Sequence, residues 1–357
     1  MSAKLNRMKK DSLLVVICLL LSVPTWSQAL RQAETSLVYY MPFTTLVFDI
    51  EYDEITEEQG QFYQYSERYL RTTDIVKENK TTYRLTDIRM RTVASADTAR
   101  LYTVPFQEKY PYCSRLSLNN KGILLGVNIE AQKSDKPNKP AMREEHHPME
   151  DCSLSPVPLL EEQLLANSTA KMAENTAKQI YRIRESRLNI LSGDVEHLPA
   201  DGKSMELVLK ELDAQERALT QLFVGKREIR KQHKRICLVP TEAMNNEVLF
   251  RFSLYNGVVD KDDMSGNPFY ITLNKHQQTY SPAQKGDEKA HSLMSPIYYN
   301  LPGKAQILLT DGERTYVETT VDVAQWGIAV ALPYALFKET TQIEMNPKTG
   351  AIKSVRQ

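Results

Sequence analysis

Between Ser168 and Gly225 the chain carries two one-sided apolar stripes at helical spacing, separated by a segment that cannot be helical. Asn167 or Ser168 can cap a first helix. Ala170, Ala173, Ala177, Ile180, Ile183, Leu188 and Leu191 then recur at spacings of mostly three or four. Lys171, Lys178, Arg182 and Glu185 fill much of the remainder. Ser192-Gly193 ends this helix, because glycine accepts the left-handed conformation past a helix C-terminus. The connection from Asp194 to Gly202 contains Pro199 and Gly202, both helix breakers. Asp201 can cap a second helix with the stripe Met205, Val208, Leu209, Leu212, Leu219, Leu222 and Phe223, and Gly225 stops it. Each helix must bury one face, and the short loop makes the two antiparallel neighbours. Stripes of this kind serve as core far more often than as ligand grooves.

Most of the remaining sequence alternates with the period of a strand. Ser36 to Met41 and Thr44 to Asp53 read as strands. In the second, Leu46, Phe48, Ile50 and Tyr52 face one way and Thr45, Val47, Asp49, Glu51 and Asp53 the other. Thr81 to Val93 and Arg100 to Phe106 follow. Leu116 and Leu118, the turn Asn119 to Gly122, and Ile123, Leu125 and Val127 form a hairpin. After the helices, the basic run from Lys226 to Arg235 leads into alternating strands around Phe250 and Ile271. Two further hairpins turn at Asp311-Gly312 and at Asn346 to Gly350. The expected class is α+β, mostly β, with two antiparallel, sandwich-like β-rich lobes joined by an antiparallel helical hairpin. The expected divisions are a signal peptide over 1–27, an N-terminal β-rich domain over 28–130 and a Pro- and charge-rich linker over 131–158. The helical hairpin over 159–225 and a C-terminal β-rich domain over 226–357 complete the chain.

Export is expected from the N-terminus. Lys4, Arg7, Lys9 and Lys10 precede the apolar run Leu13 to Val23, which is too short to span a bilayer comfortably. Small residues around Trp26 place a cleavage before Gln28. Cys18 follows Ile17, where a lipoprotein signal requires a small residue, so lipidation is disfavoured. No later apolar run reaches spanning length, so no transmembrane segment is expected after cleavage. An exported chain can keep a disulfide, and Cys113 with Cys152 is the candidate pair. Cys237, within Ile236-Cys-Leu-Val239, reads as a buried, inert thiol. Lys plus Arg and Asp plus Glu balance at 45 each, so whole-molecule charge gives no argument for nucleic acid or an acidic membrane.

Candidate sites are few. The acids Asp49, Glu51, Asp53, Glu54, Glu57 and Glu58 suit either a cation site or a solvated strand edge. The edge is favoured because the glycine of a calcium loop is missing. Phe62, Tyr65 and Tyr69 could stack on sugar rings or close the end of a core, and the core is favoured. Glu144-Glu-His-His-Pro-Met-Glu-Asp-Cys152 has metal-binding residue types without a scaffold, so no metal or cofactor is assigned. Lys226 to Arg235 could meet an anionic glycan or phosphate, or pair with the acids of Asp49 to Glu58. Nucleic acid is disfavoured as a partner for an exported protein, and no base-stacking motif accompanies the run. No nucleophile elbow, zinc-protease helix, Walker loop or dinucleotide fingerprint appears. A carboxylate pair for hydrolysis would assemble only in the fold, and catalytic residues stay unassigned.

Five stretches together carry a resemblance. They are Phe62 to Leu70; Glu211 to Glu216 with Leu222 to Gly225; Tyr299 to Gly303; Gln325 to Gly327 with Leu332-Pro333; and Asn346 to Ile352. The mature chain resembles a family of exported proteins of unknown function from Bacteroides-type gut bacteria. The resemblance implies a cell-envelope setting and supplies no catalytic residues. It also makes Asp97-Thr98-Ala99 a candidate O-glycan triplet. The leading expectation is a non-enzymatic binding or interaction module in the periplasm or at the outer membrane, with an envelope protein or glycan as partner. The alternative is a secreted hydrolase of glycans or peptides.

Overall fold

A computed structural model describes residues 36–105, 116–129, 161, 165–166, 168–194, 201–276, 294–333, 336 and 341–356. The signal segment, Cys18, Cys113, Cys152, the Glu144 to Cys152 cluster and the whole of the expected 131–158 linker lie outside these residues.

The first strand is longer than its sequence pattern indicates. β1 runs without interruption from Ser36 to Glu58 and pairs antiparallel with β2, Lys80–Pro105. Register shifts at Tyr40/Met41 and Glu51/Tyr52 absorb the breaks that the alternation suggests. Between them the chain makes a short 3-10 turn, Tyr63–Tyr65, and helix α1, Ser66–Leu70. A small hairpin follows, β3 (Leu116–Leu118) and β4 (Leu124–Val127). The helical hairpin is α2, Thr169–Ser192, and α3, Gly202–Val224. Its caps are those the sequence names. The Ser168 hydroxyl accepts from the Lys171 N–H at 3.3 Å, and the Asp201 carboxylate accepts from the Ser204 N–H at 2.6 Å. Gly193 closes α2 at φ 79°.

The remaining strands are β5 (Lys226–Leu238), β6 (Met244–Ser253), β7 (Gly257–Val259), β8 (Asn267–His276), β9 (Met294–Thr310), β10 (Thr315–Pro333), β11 (Gln342–Met345) and β12 (Ile352–Arg356). Three antiparallel sheets result, in the orders β2-β1-β5, β10-β9-β8-β6-β7 and β12-β11-β4-β3. The expected mostly-β class with a packed helical hairpin is what the structure shows.

Two β cores form, and each draws on strands from before and after the helices. The larger packs Leu46, Phe48 and Ile50 of β1 against Phe250, Phe269, Ile271 and Ile307. The smaller packs Tyr39 and Met41 of β1 against Val127, Ile297, Leu332 and Ile343. The β1–β2 and β9–β10 ribbons contribute to both cores. A third cluster belongs to the hairpin: Ala173, Ala177, Ile180, Ile183, Leu219 and Phe223, with Phe62 from the turn before α1.

β5 corrects two expectations. It joins the first sheet as the neighbour of β1 instead of opening a second one. β1 is therefore a central strand, and its acids line the face of a sheet, not a solvated edge. Cys237 is exposed, because Ile236 and Leu238 turn to the core and strict alternation sends the residue between them outward.

Candidate interaction surface

The base of the helical hairpin is locked to the β body by backbone contacts. The Phe62 N–H donates to the Leu222 carbonyl at 2.6 Å, and the Val76 N–H to the Val224 carbonyl at 2.8 Å. The buried Ser66 hydroxyl donates to the Phe223 carbonyl at 2.8 Å, satisfying an acceptor freed at the C-terminus of α3. Phe62 packs on Phe223 with ring centroids 5.4 Å apart. Gly60 permits this approach, since a Cβ there would lie 2.6 Å from the Leu222 carbonyl oxygen. Tyr65 and Tyr69 pack against the same cluster, and the Tyr181 hydroxyl donates to the Tyr69 carbonyl at 2.8 Å. The structure thus uses these aromatics as the seal of a core, the role favoured over sugar stacking.

Beyond this base the cover ends while the stripe continues. On α2, Ala173 and Ile180 are 0% exposed, whereas Leu188 and Leu191 are 65% and 66% exposed. On α3, Leu219 and Phe223 are 0% exposed, whereas Val208 is 38% exposed. Ile183 and Leu212 are the last stripe residues that belong to the cluster. Just past them, Arg184 binds Glu216 at 2.6 Å, and Arg187 binds both Asp213 and Glu216. These pairs hold the helices together where apolar packing gives out. The end of the hairpin is an overhang with an apolar stripe and no cover from the described body.

A second junction gathers the other stretches that carry the family resemblance. Residues 324–327 of β10 bulge away from β9, between the pairs Val323 with Gly303 and Ile328 with Leu301. The bulge returns to β1. The Gln325 amide donates to the Thr44 carbonyl and accepts from the Thr44 N–H, both at 2.9 Å, and the Ala324 N–H donates to the Thr44 hydroxyl at 2.9 Å. Asn300 is fully buried and donates to the carbonyls of Ala324 at 2.9 Å and Thr349 at 2.8 Å. The Trp326 indole donates to the Thr241 carbonyl at 3.1 Å. The motif residues therefore build two structural joints, one under the hairpin and one between the β cores.

The charged face of the first sheet is a set of internal pairs. Asp49 of β1 sits between Arg91 of β2, at 2.7 Å, and Arg235 of β5, at 2.8 Å, with His233 at 3.5 Å. Partial burial pushes the Asp49 carboxyl up, but hydrogen bonds from Arg235 and Arg91 outweigh it and hold the group below its ordinary value. Glu57 is bound by Lys80 at 3.0 Å and Arg227 at 2.9 Å, and its pKa falls likewise. Arg230 and Lys226 both pair with Glu228. The basic run thus spends much of its charge on neighbouring carboxylates, as the pairing alternative anticipates, and a free polycationic stripe does not form. Asp263 accepts from the Ser265 N–H within the Asp260 to Gly266 loop, an ordinary turn.

Among the described residues, each Asp or Glu whose pKa departs from its ordinary value is displaced downward: Asp49, Glu57, Glu174, Asp201, Glu228, Asp263, Asp311 and Glu344. Among the described residues no group of three or more His, Cys, Asp or Glu could hold a metal ion. No helix among them is long and apolar enough to cross a membrane.

Sheets, joints and overhang define a mostly-β protein with a projecting helical arm. A family model described as a domain of unknown function, DUF4831, matches residues 35–353, and the chain belongs to that family. No curated protein and no solved structure matches it.

Proposed function

We propose that the protein is an exported, non-enzymatic interaction module of the cell envelope, and that the end of the helical hairpin is its binding surface. The single observation that carries this reading is the loss of cover along α2, from 0% exposure at Ile180 to 65% and 66% at Leu188 and Leu191, beyond the Arg184 and Arg187 ion pairs. Apolar side chains held outward on a rigid scaffold favour burial against something else, by about 25 cal/mol for each Å² covered. The base joints give the arm its rigidity. Export is supported by the basic residues before the apolar run Leu13 to Val23. A hydrolase working through a carboxylate pair gains no support. Its general acid needs a carboxyl held protonated, whereas the displaced carboxyls here are held ionised.

The test is a photo-reactive amino acid placed at Leu188, at Val208 and, as a control, at the exposed Leu254 of the β body, in intact host cells. The expected result is one crosslinked species shared by Leu188 and Val208 and absent at Leu254, on a chain recovered outside the cytoplasm and beginning near Gln28. Equal labelling at all three positions, or none, would remove the binding surface. A cytoplasmic chain retaining Met1 would remove export.

A further inference from the structure

We infer that the occupant of the hairpin's exposed stripe is a second copy of the same chain, the two hairpins closing on each other as a four-helix bundle. This inference rests on the reading of the overhang as a binding surface and names its partner.

The first argument is geometric. On α2 the exposed Leu191 lies eleven residues after Ile180, close to three turns, so it continues the direction of the stripe buried at the base. On α3, Val208 and the half-buried Met205 and Leu209 continue the direction of Leu212 and Leu219. The open stripe therefore points the way the buried stripe points, but Leu188, Leu191 and Val208 on it have no cover among the described residues. A two-helix hairpin with one open apolar face is half of a four-helix bundle, and an identical hairpin offers the matching half.

The second argument is charge. A two-fold interface sets a patch against itself, so a patch of one sign repels its own copy. Here the exposed charges of the overhang and its tip are Lys203 and Lys210 against Glu185, Asp194, Asp201, Glu206 and Glu211. Both signs are present. The charges lying further in, Arg184 and Arg187, are already matched by Asp213 and Glu216 within one hairpin. A membrane surface or an acidic partner would call for an excess of cations, which this patch lacks.

The third argument is size. The overhang comprises Arg184 to Ser192 on α2 and Gly202 to Glu211 on α3, and only the residues on one face of each helix can meet a partner, fewer than the ~20–30 residues a side of a standard interface. The expected dimer is therefore weak and reversible.

Sedimentation velocity of the purified protein between 1 and 100 µM tests this directly. The expected result is a monomer–dimer shift across that range, abolished by L188K/L191K with unchanged circular dichroism. Val208→Lys, on the other helix, should weaken the dimer at least tenfold. In a Cys237→Ser background, Leu188→Cys should give a covalent dimer on mild oxidation that the background alone does not give. A protein monomeric throughout, or a dimer indifferent to both sets of lysines, would overturn the inference. A monomer that still crosslinks in cells from Leu188 and Val208 would overturn self-association while leaving the binding surface standing. A monomer that crosslinks to nothing would remove both. Binding of the monomer to vesicles of neutral and anionic phospholipid, lost in L188K/L191K, would also overturn it in favour of a lipid surface.

Discussion

The two ends of the helical hairpin are built from the same sequence pattern and meet different fates. At the base, Ala173, Ile180, Leu219 and Phe223 are fully buried, and α3 hands its terminal carbonyls to Phe62, Ser66 and Val76. At the far end the same stripe, carried on by Leu191 and Val208, stands open, and ion pairs replace packing as the tie between helices. The comparison teaches that an amphipathic period specifies only that a face should be covered. What covers it is decided by where the neighbouring elements stop. Here the turn and helix α1 stop under Ile183.

This contrast can be broken or sharpened by substitution. The largest effect is expected at the base. Phe223→Ala empties the space beside Phe62 and should cost about 3–5 kcal/mol in chemical denaturation, the usual range for a buried phenylalanine. A loss below 1 kcal/mol would mean that the base is not the tightly packed end. Gly60→Ala comes next. Its Cβ would meet the Leu222 carbonyl oxygen at 2.6 Å, so the α3 terminus must shift, at about 1–3 kcal/mol. A neutral result would show that the base joint yields easily.

The charged sheet face lies between the two extremes. Asp49→Asn removes the carboxylate shared by Arg91 and Arg235. With both guanidinium groups partly in water, the loss should be about 1 kcal/mol. The pH dependence has a definite sign. The Asp49 pKa is lower in the folded protein than in the unfolded chain. Its contribution is therefore fully present above the unfolded carboxylate value, about 4, and disappears as pH falls through the lower folded value. The stability difference between wild type and Asp49→Asn should shrink across that window. A difference that grows on acidification would contradict the pairing. The smallest effect belongs to the far end. Leu191→Ala in the dilute protein should change stability by no more than about 0.5 kcal/mol, as for other exposed positions. A loss approaching that of Phe223→Ala would mean that the stripe is covered after all.

Much of this architecture can be read from local pattern, because local chemistry decides it. Ser168, Gly193, Asp201 and Gly225 mark the helix ends through backbone groups that need partners or a left-handed turn. Leu46, Phe48 and Ile50 mark a core face by alternation alone. What could not be read depends on residues far apart in the chain. Nothing near Asp49 states that Arg235 will lie beside it, so β1 reads as an edge while β5 makes it a central strand. Cys237 reads as buried because its neighbours are apolar, although the period of a strand, with Ile236 and Leu238 inward, already puts it outside. The role of Asn300 and Gln325 was hidden for the same reason, since their partners Thr349 and Thr44 come from distant strands. The candidate surface was half legible. Leu188, Leu191 and Val208 are plain in the stripes, but the end of their cover depends on how the elements around Phe62 fold back.

Amide hydrogen exchange along α2, measured at 1 µM, tests the central claim most directly. Protection should be high through Ile183, anchored by the base, and should fall by at least tenfold between Arg184 and Ser192, where backbone opening meets no packed cover. Raising the concentration to 100 µM should restore protection over 184–192 and over 202–211 without altering 173–183. Uniform protection along the whole helix at 1 µM would contradict the account, because the far end would then be covered within a single chain.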